Sequence, residues 1–293
     1  MEKKQYGGQA VIEGVMMKGE KNIAVAVRRN QEDIAIKEEK ISFPDRKFSF
    51  LSWPFVRGVV SLVLMLYIGI RALSYSADQA AEEEGEEIKI WEMLLSIVVA
   101  FVLAVLIFVV TPAFIISLIQ PYIELNLILN IIEGFIKITA FILYVFFISR
   151  LEDIKRVFRY HGAEHKVINN YESDLSLSVE NARSFSPLHP RCGTSFIFLV
   201  ILLSIFFFSF FGRPPLQYRI FFHLLLLPLI AGTSYEIIKL AGREQAPAVI
   251  RALSWPGLLI QKLTTGEPDD SMLEVAITAL QHVLEKEEGE RSV

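Results

Sequence analysis

Apolar positions along the chain follow two periods. Near the start, Ile23, Val25 and Val27 alternate with Ala24 and Ala26, and the two-residue spacing resumes at Ile34 and Ile36 after the polar stretch Arg28 to Asp33. That alternation predicts a β-hairpin within a small N-terminal unit, residues 1–52. Pro44 and Pro54 bracket a less regular stretch. From residue 53 long apolar runs take over. Leu94 to Val110 is 17 residues without a charge, and the run continues past Thr111-Pro112 to Ile119. Asn126 to Ser149, Phe196 to Phe211 and Ile220 to Ile238 follow. Since about 20 apolar helical residues cross a bilayer, the pattern predicts about four transmembrane helices. Short turns at 120–125 and 212–219 join them into two hairpins, 92–149 and 196–238.

Residues 55–76 are apolar too, but Arg57 and Arg71 enclose only 13 uncharged residues. At 1.5 Å per residue that run is about 20 Å long, short of a hydrocarbon core of about 30 Å. It predicts an interfacial or re-entrant helix, followed within 53–91 by an acidic linker, Glu82 to Glu87, that reads as a solvated segment. A polar loop covers 150–195 and a polar tail covers 239–293. In the tail, Ser271-x-x-Glu274 has the form of a capping box. Met272, Leu273, Val275, Ala276, Leu280 and Val283 then recur at helical spacing, predicting an amphipathic helix docked on the rest of the protein. The expected fold is mainly α: a polytopic helical membrane protein with a small N-terminal β-hairpin unit.

Composition agrees with this. Hydrophobic residues make up 53 %, 22 of them Phe, and charged residues only 21 %, more apolar surface than a soluble domain uses. A net charge of −4 argues against nucleic-acid binding. Residues 1–90 hold 13 Lys and Arg, 150–195 hold seven and 239–293 hold six, whereas 120–125 holds none and 212–219 two. With the rich regions inside, both termini are cytoplasmic and the protein sits in the cytoplasmic membrane as a multi-pass chain. A crossing at 55–76 would move the seven outside. The charged start, followed by a glycine-rich stretch with no continuous apolar run, is unlike a secretory signal. One cysteine, Cys192, excludes an internal disulfide framework and suits a reducing compartment.

The candidate chemistry lies in the 150–195 loop. His161-Gly162-Ala163-Glu164-His165 is an H-x-x-E-H pattern. On a helix it sets His161 and His165 on one face, one turn apart, where two imidazoles can meet one metal ion. Glu164 stands where the inverted zinc-peptidase motif has its general base, although Gly162 weakens a helix. His189-Pro190-Arg191-Cys192-Gly193 is similar to half of a zinc knuckle, with two ligands three apart around a tight turn. His161, His165, His189 and Cys192 thus form a His₃Cys set of the ligand types that zinc prefers. Four protein ligands would make the metal structural, while three would leave a position for catalysis with Glu164 as base. Asn126, Asn130, Glu133 and Lys137 form a polar stripe on an apolar helix, read as a self-neutralised pair or a polar path. Glu13, in the glycine-rich segment 7–19, is a strand residue or a carboxylate for the same site. His223 and His282 read as structural.

Four segments together resemble the YqhQ family of bacterial membrane proteins: GGQAVIEGVMMKG at 7–19, RYHGAEHKVINNYE at 159–172, HPRCGTSF at 189–196, and WPGLLIQKLTTGEPDD with LEVAITAL in the tail. The family is of unknown function and is described as predicted metal-dependent enzymes. The resemblance implies a multi-spanning bacterial membrane protein with a metal site at those histidines and cysteine, and it supplies no reaction. The sequence-based expectation is a divalent metal, zinc by ligand type, serving hydrolysis at the cytoplasmic membrane surface. Membrane lipids are the surroundings, and a lipid-linked compound or a peptide is the substrate. The alternative is a scaffold or assembly factor for a membrane-protein partner, its zinc purely structural. A transporter is weaker, because the chain has no inverted repeat.

Overall fold

The computed structural model describes residues 5–41, 53, 56–84, 90–210, 216–243 and 245–289. Pro44, Pro54, Gly85 to Glu87 and the side chain of His223, each singled out above, lie outside the described residues.

Four strands, β1 (Gly7–Val11), β2 (Gly14–Lys18), β3 (Asn22–Arg28) and β4 (Ile34–Lys40), form an antiparallel meander in chain order. The expected hairpin is β3–β4, paired from Arg28↔Ile34 to Asn22↔Lys40. The two strands before it were not expected. Their glycines dilute the pattern, and β2 is buried on both faces, so GVMMK shows no alternation. The sheet has helices on both sides. Val15, Met17, Ala24 and Ala26 share one core with Tyr160, Val167, Leu273 and Leu280. Val11, Met16, Val25 and Val27 share another with Ile68 and Ala72.

The second core is closed by α1 (Val56–Glu84), a 29-residue helix. The 13-residue apolar interval does not bound it, because neither arginine ends it: Arg57 pairs with Glu236, and Arg71 with Glu39. At about 43 Å its length allows a crossing, but Ile68, Ala72, Ser76 and Gln79, from its middle onward, are buried.

Residues 90–119 run as one helical rod. α2 (Ile90–Val105) passes through a single π-turn at Leu106–Val110 into α3 (Thr111–Ile119). Pro112 has no N–H to give to the preceding turn, and the widened turn absorbs the defect: Thr111 N donates to Leu106 O, five residues back,. α4 is Asn126–Ile148. Among the described residues, three helices are long and apolar enough to cross a membrane: Val56–Glu82, Leu94–Tyr122 and Asn126–Ile148. The last two form the first expected hairpin. Of the second, α7 (Gly193–Ser209) is a shorter apolar helix of 17 residues and α8 (Leu216–Ala241) has 26. On α4, Lys137 and Glu133 pair at 3.0 Å, and Asn130 donates to the Phe208 carbonyl. Asn130, Glu133 and Lys137 of the polar stripe are therefore satisfied within the helix bundle, while Asn126 is exposed.

The remaining elements are α5 (Glu152–Glu172), α6 (Val179–Arg183), α9 (Ala248–Thr264) and α10 (Asp270–Gly289). α10 carries the expected apolar spacing into the first core, but its cap is Asp269 rather than Ser271: Asp269 Oδ1 accepts from Met272 N at 3.1 Å. Glu274 instead pairs with Arg28, and His282 with Glu38 at the surface.

Candidate metal centre

The site is built on α5. The H-x-x-E-H segment is helical as expected, and His161 and His165 face the same way with ring centroids 4.4 Å apart. Gly162 costs helix stability but has a spatial reason. Gly266, after α9, donates its N–H to the Phe158 carbonyl, and its own carbonyl oxygen rests where a Cβ on residue 162 would be. Only glycine lets the chain after α9 lie against α5 at this level.

Each of the two imidazoles is fixed by a backbone carbonyl. His161 Nδ1 is 2.8 Å from Thr264 O and His165 Nδ1 is 2.6 Å from Pro187 O. A carbonyl only accepts, so both Nδ1 atoms carry the proton and each Nε2 is the nitrogen that presents a lone pair. Metal-ligating histidines are oriented in this way. The third donor arrives from the other segment. Residues 189–192 form a turn, with Cys192 N donating to His189 O, and Cys192 caps the N-terminus of α7. Its Sγ accepts from Thr194 N and lies 3.3 Å from His161 Nε2. Ligand atoms of His161, His165 and Cys192 all fall within 4.8 Å of one another. Two imidazole nitrogens and a sulfur make a donor set that suits zinc.

His189 is not in this group. Its ring is 5.7 Å from that of His165, its Nδ1 accepts from Arg191 N, and its Nε2 faces Glu172 Oε2 at 3.4 Å. Both nitrogens are engaged, and burial lowers the His189 pKa. Glu172 also takes an ion pair from Arg191. Burial pushes the Glu172 carboxyl up, but hydrogen bonds from His189 and Arg191 outweigh burial and hold it at about 2.

Glu164 lies between α5 and the edge strand β1. Gly8 N donates to its carboxylate, and a Cβ at Gly8 would approach its Cδ to 3.0 Å. Oε2 is buried without a protein partner. Burial raises its pKa to about 7, against the smaller lowering effects of His161 and the Gly8 N–H. A carboxyl poised there can hold or release a proton near neutrality. Glu13 does not join the cluster. It sits in the β1–β2 turn at φ 53 and binds Arg156 and the Tyr160 hydroxyl, one turn before His161.

One contributor had no obvious mark in the sequence. Gln261, on α9, is 0 % exposed. Its Oε1 accepts from His189 N at 2.9 Å, and its Nε2 donates to His189 O at 2.9 Å and to Ser195 Oγ at 2.7 Å. The amide clamps the turn that presents Cys192, and three residues later the Thr264 carbonyl orients His161. One turn of α9 thus holds both halves of the site. The available signal was a polar pair at i, i+3 in an apolar run.

The family described as "Protein of unknown function (DUF1385)" matches residues 53–286. The chain is 35 % identical over 295 residues to "Uncharacterized protein YqhQ" of Bacillus subtilis (strain 168), covering 96 % of this chain and 93 % of that relative. No solved structure matches the chain.

Proposed function

Because the chain belongs to the YqhQ family, the DUF1385 proteins, whose descriptions carry no reaction, we propose its function from the site itself. It is a multi-pass protein of the cytoplasmic membrane with a zinc centre at His161, His165 and Cys192, hydrolysing a lipid-linked or peptide substrate. The observation that carries this reading is the convergence of three metal-donor atoms, from two segments 27 residues or more apart in sequence, within 4.8 Å. When bound, zinc supplies Lewis acidity toward a carbonyl or phosphoryl oxygen. The chain's own residues do the rest. Thr264 and Pro187 hold the imidazoles in one tautomer, the Thr194 N–H orients Cys192 Sγ, and Glu164 takes and returns a proton.

The topology follows from packing and charge. The sheet, α5 and α10 share one core, so they lie on one side of the bilayer and an even number of crossings separates any two of them. The rod 90–119 and α4 supply two crossings, and α7 and α8 supply two more. α1 then stays at the interface. Its N-terminal Arg57 pairs with Glu236 near the end of α8, and its second half lies on the sheet. The regions assigned to the shared side carry 26 of the 29 Lys and Arg in the sequence, which supports a cytoplasmic placement for it and for both termini.

Metal analysis of the purified protein tests the centre. Stoichiometric zinc in the native protein and Glu164→Gln, with loss in His161→Ala, supports it. Protein that takes up no zinc on titration removes it. Hydrolysis is read by mass spectrometry after incubation with membrane lipid extracts and peptide libraries. Products from the native protein and none from zinc-loaded Glu164→Gln support a general base at Glu164. A second reading rests on the ties that the site makes among α5, α7 and α9: zinc as a structural staple in a scaffold for a membrane-protein partner. It requires His161→Ala to lower the melting temperature and Glu164→Gln to be silent.

A further inference from the structure

α9 lies in a tail that composition marks as soluble, yet its packing places it among the apolar helices. Ile260 shares a core with Phe141 and Val145 of α4 and Phe198 of α7, and Leu263 packs against the same cluster. These are the last two turns of α4 and the second turn of α7, so α9 runs beside the ends of two membrane helices. Its other face is open. Arg251, Ala252, Trp255, Leu259 and Lys262 are all exposed, Trp255 by 59 %. At 100° per residue they fall within an arc of about 100°, opposite Gly257, Ile260 and Gln261. The stripe is apolar in the middle and basic at both ends, with about 16 Å between Arg251 and Lys262. Neither basic residue has an ion pair among the described residues.

We propose that α9 is an in-plane membrane helix whose exposed stripe rests in an anionic phospholipid leaflet, with Trp255 against the upper acyl chains and Arg251 and Lys262 on lipid phosphates. Three features favour lipid over a protein occupant. The stripe continues the surface of helices that face lipid, and tryptophan is enriched at this depth. Basic side chains also reach outward from an apolar helix face to phosphates. The proposal rests on the membrane placement above and not on the metal. It brings the His161–Cys192 centre to the headgroup layer, because Gln261 and Thr264 belong to the same helix. An amphiphile lying in the leaflet could then reach the centre without leaving the membrane.

The test uses the full chain in anionic vesicles, with Trp53→Phe and Trp91→Phe leaving Trp255 as the only tryptophan. Lipids brominated at acyl carbons 6 and 7 should quench its fluorescence by about half, and more than lipids brominated at 11 and 12, as expected for a ring at the interface. A variant keeping Trp91 alone, next to the span that begins at Leu94, is the control. Quenched Trp91 with unquenched Trp255 overturns the proposal and leaves the membrane placement standing; unquenched Trp91 overturns both. Arg251→Gln with Lys262→Gln should reduce Trp255 quenching in anionic vesicles to the level seen in zwitterionic ones. Equal quenching of parent and double variant in both vesicle types would remove the phosphate contacts.

Discussion

Replacing Gln261 with leucine keeps the volume of a fully buried side chain while removing three hydrogen bonds. The Ser195 oxygen loses a donor but keeps its own proton to give. The N–H of His189, itself 3 % exposed, is left without an acceptor, while its carbonyl keeps the Cys192 N–H. A stranded buried group costs roughly 1–3 kcal/mol, so the native turn at 189–192 should lose about 2 kcal/mol. The turn carries Cys192, and its loosening falls on the zinc affinity. Losses from residues that orient ligands reach about 10- to 100-fold, and 2 kcal/mol corresponds to about 30-fold. Competition against a zinc-chelating dye, on native and variant proteins in the same detergent, measures this. Gln261→Glu keeps the acceptor for His189 N and loses both donors, so its affinity should fall in between. A leucine variant that binds zinc within about twofold of the native protein would show that the clamp does not hold the site.

Gly162→Ala forces a methyl group onto the Gly266 carbonyl and should lower stability by about 1–3 kcal/mol, read as a melting temperature. Lys137→Met removes the ion-pair partner of buried Glu133 and should lower stability, whereas Glu133→Gln with Lys137→Met should restore most of it; expression and melting in detergent separate the two. Glu172 has a folded pKa of about 2 against 4.5 unperturbed. A depressed carboxyl stabilises above the unperturbed value and loses that contribution as pH falls through the folded one. Glu172 is partly exposed, so the contribution is about 1 kcal/mol after allowing for solvent screening. Glu172→Gln should therefore flatten the fall in melting temperature between pH 4.5 and 2.

What the sequence revealed follows from where each residue's partners lie. The β3–β4 hairpin and the first apolar hairpin were legible because one-sided burial and long uncharged runs are local patterns. β1 and β2 were not, because a sheet covered on both faces has no alternation and their glycines answer to distant atoms such as the Glu164 side chain. α1 extends beyond its apolar interval because Arg57 and Arg71 find carboxylates on Glu236 and Glu39, partners that spacing cannot supply. The H-x-x-E-H histidines and Cys192 come together as their spacing predicted. His189 has the right residue type in the right motif, but Arg191 and Glu172 occupy both its nitrogens. Gln261 and Thr264 could not have been assigned to the site from their own segment, since their roles exist only once α9 lies across α5 and α7.

X-ray absorption at the zinc K-edge of the purified, zinc-loaded protein tests the central claim most directly. The account predicts one ion per chain with one sulfur at about 2.3 Å and imidazole nitrogens at about 2.0 Å. The sulfur shell should vanish in Cys192→Ser and persist in His189→Ala. A first shell without sulfur in the native protein, or one that changes with His189 and not with His161, would contradict it.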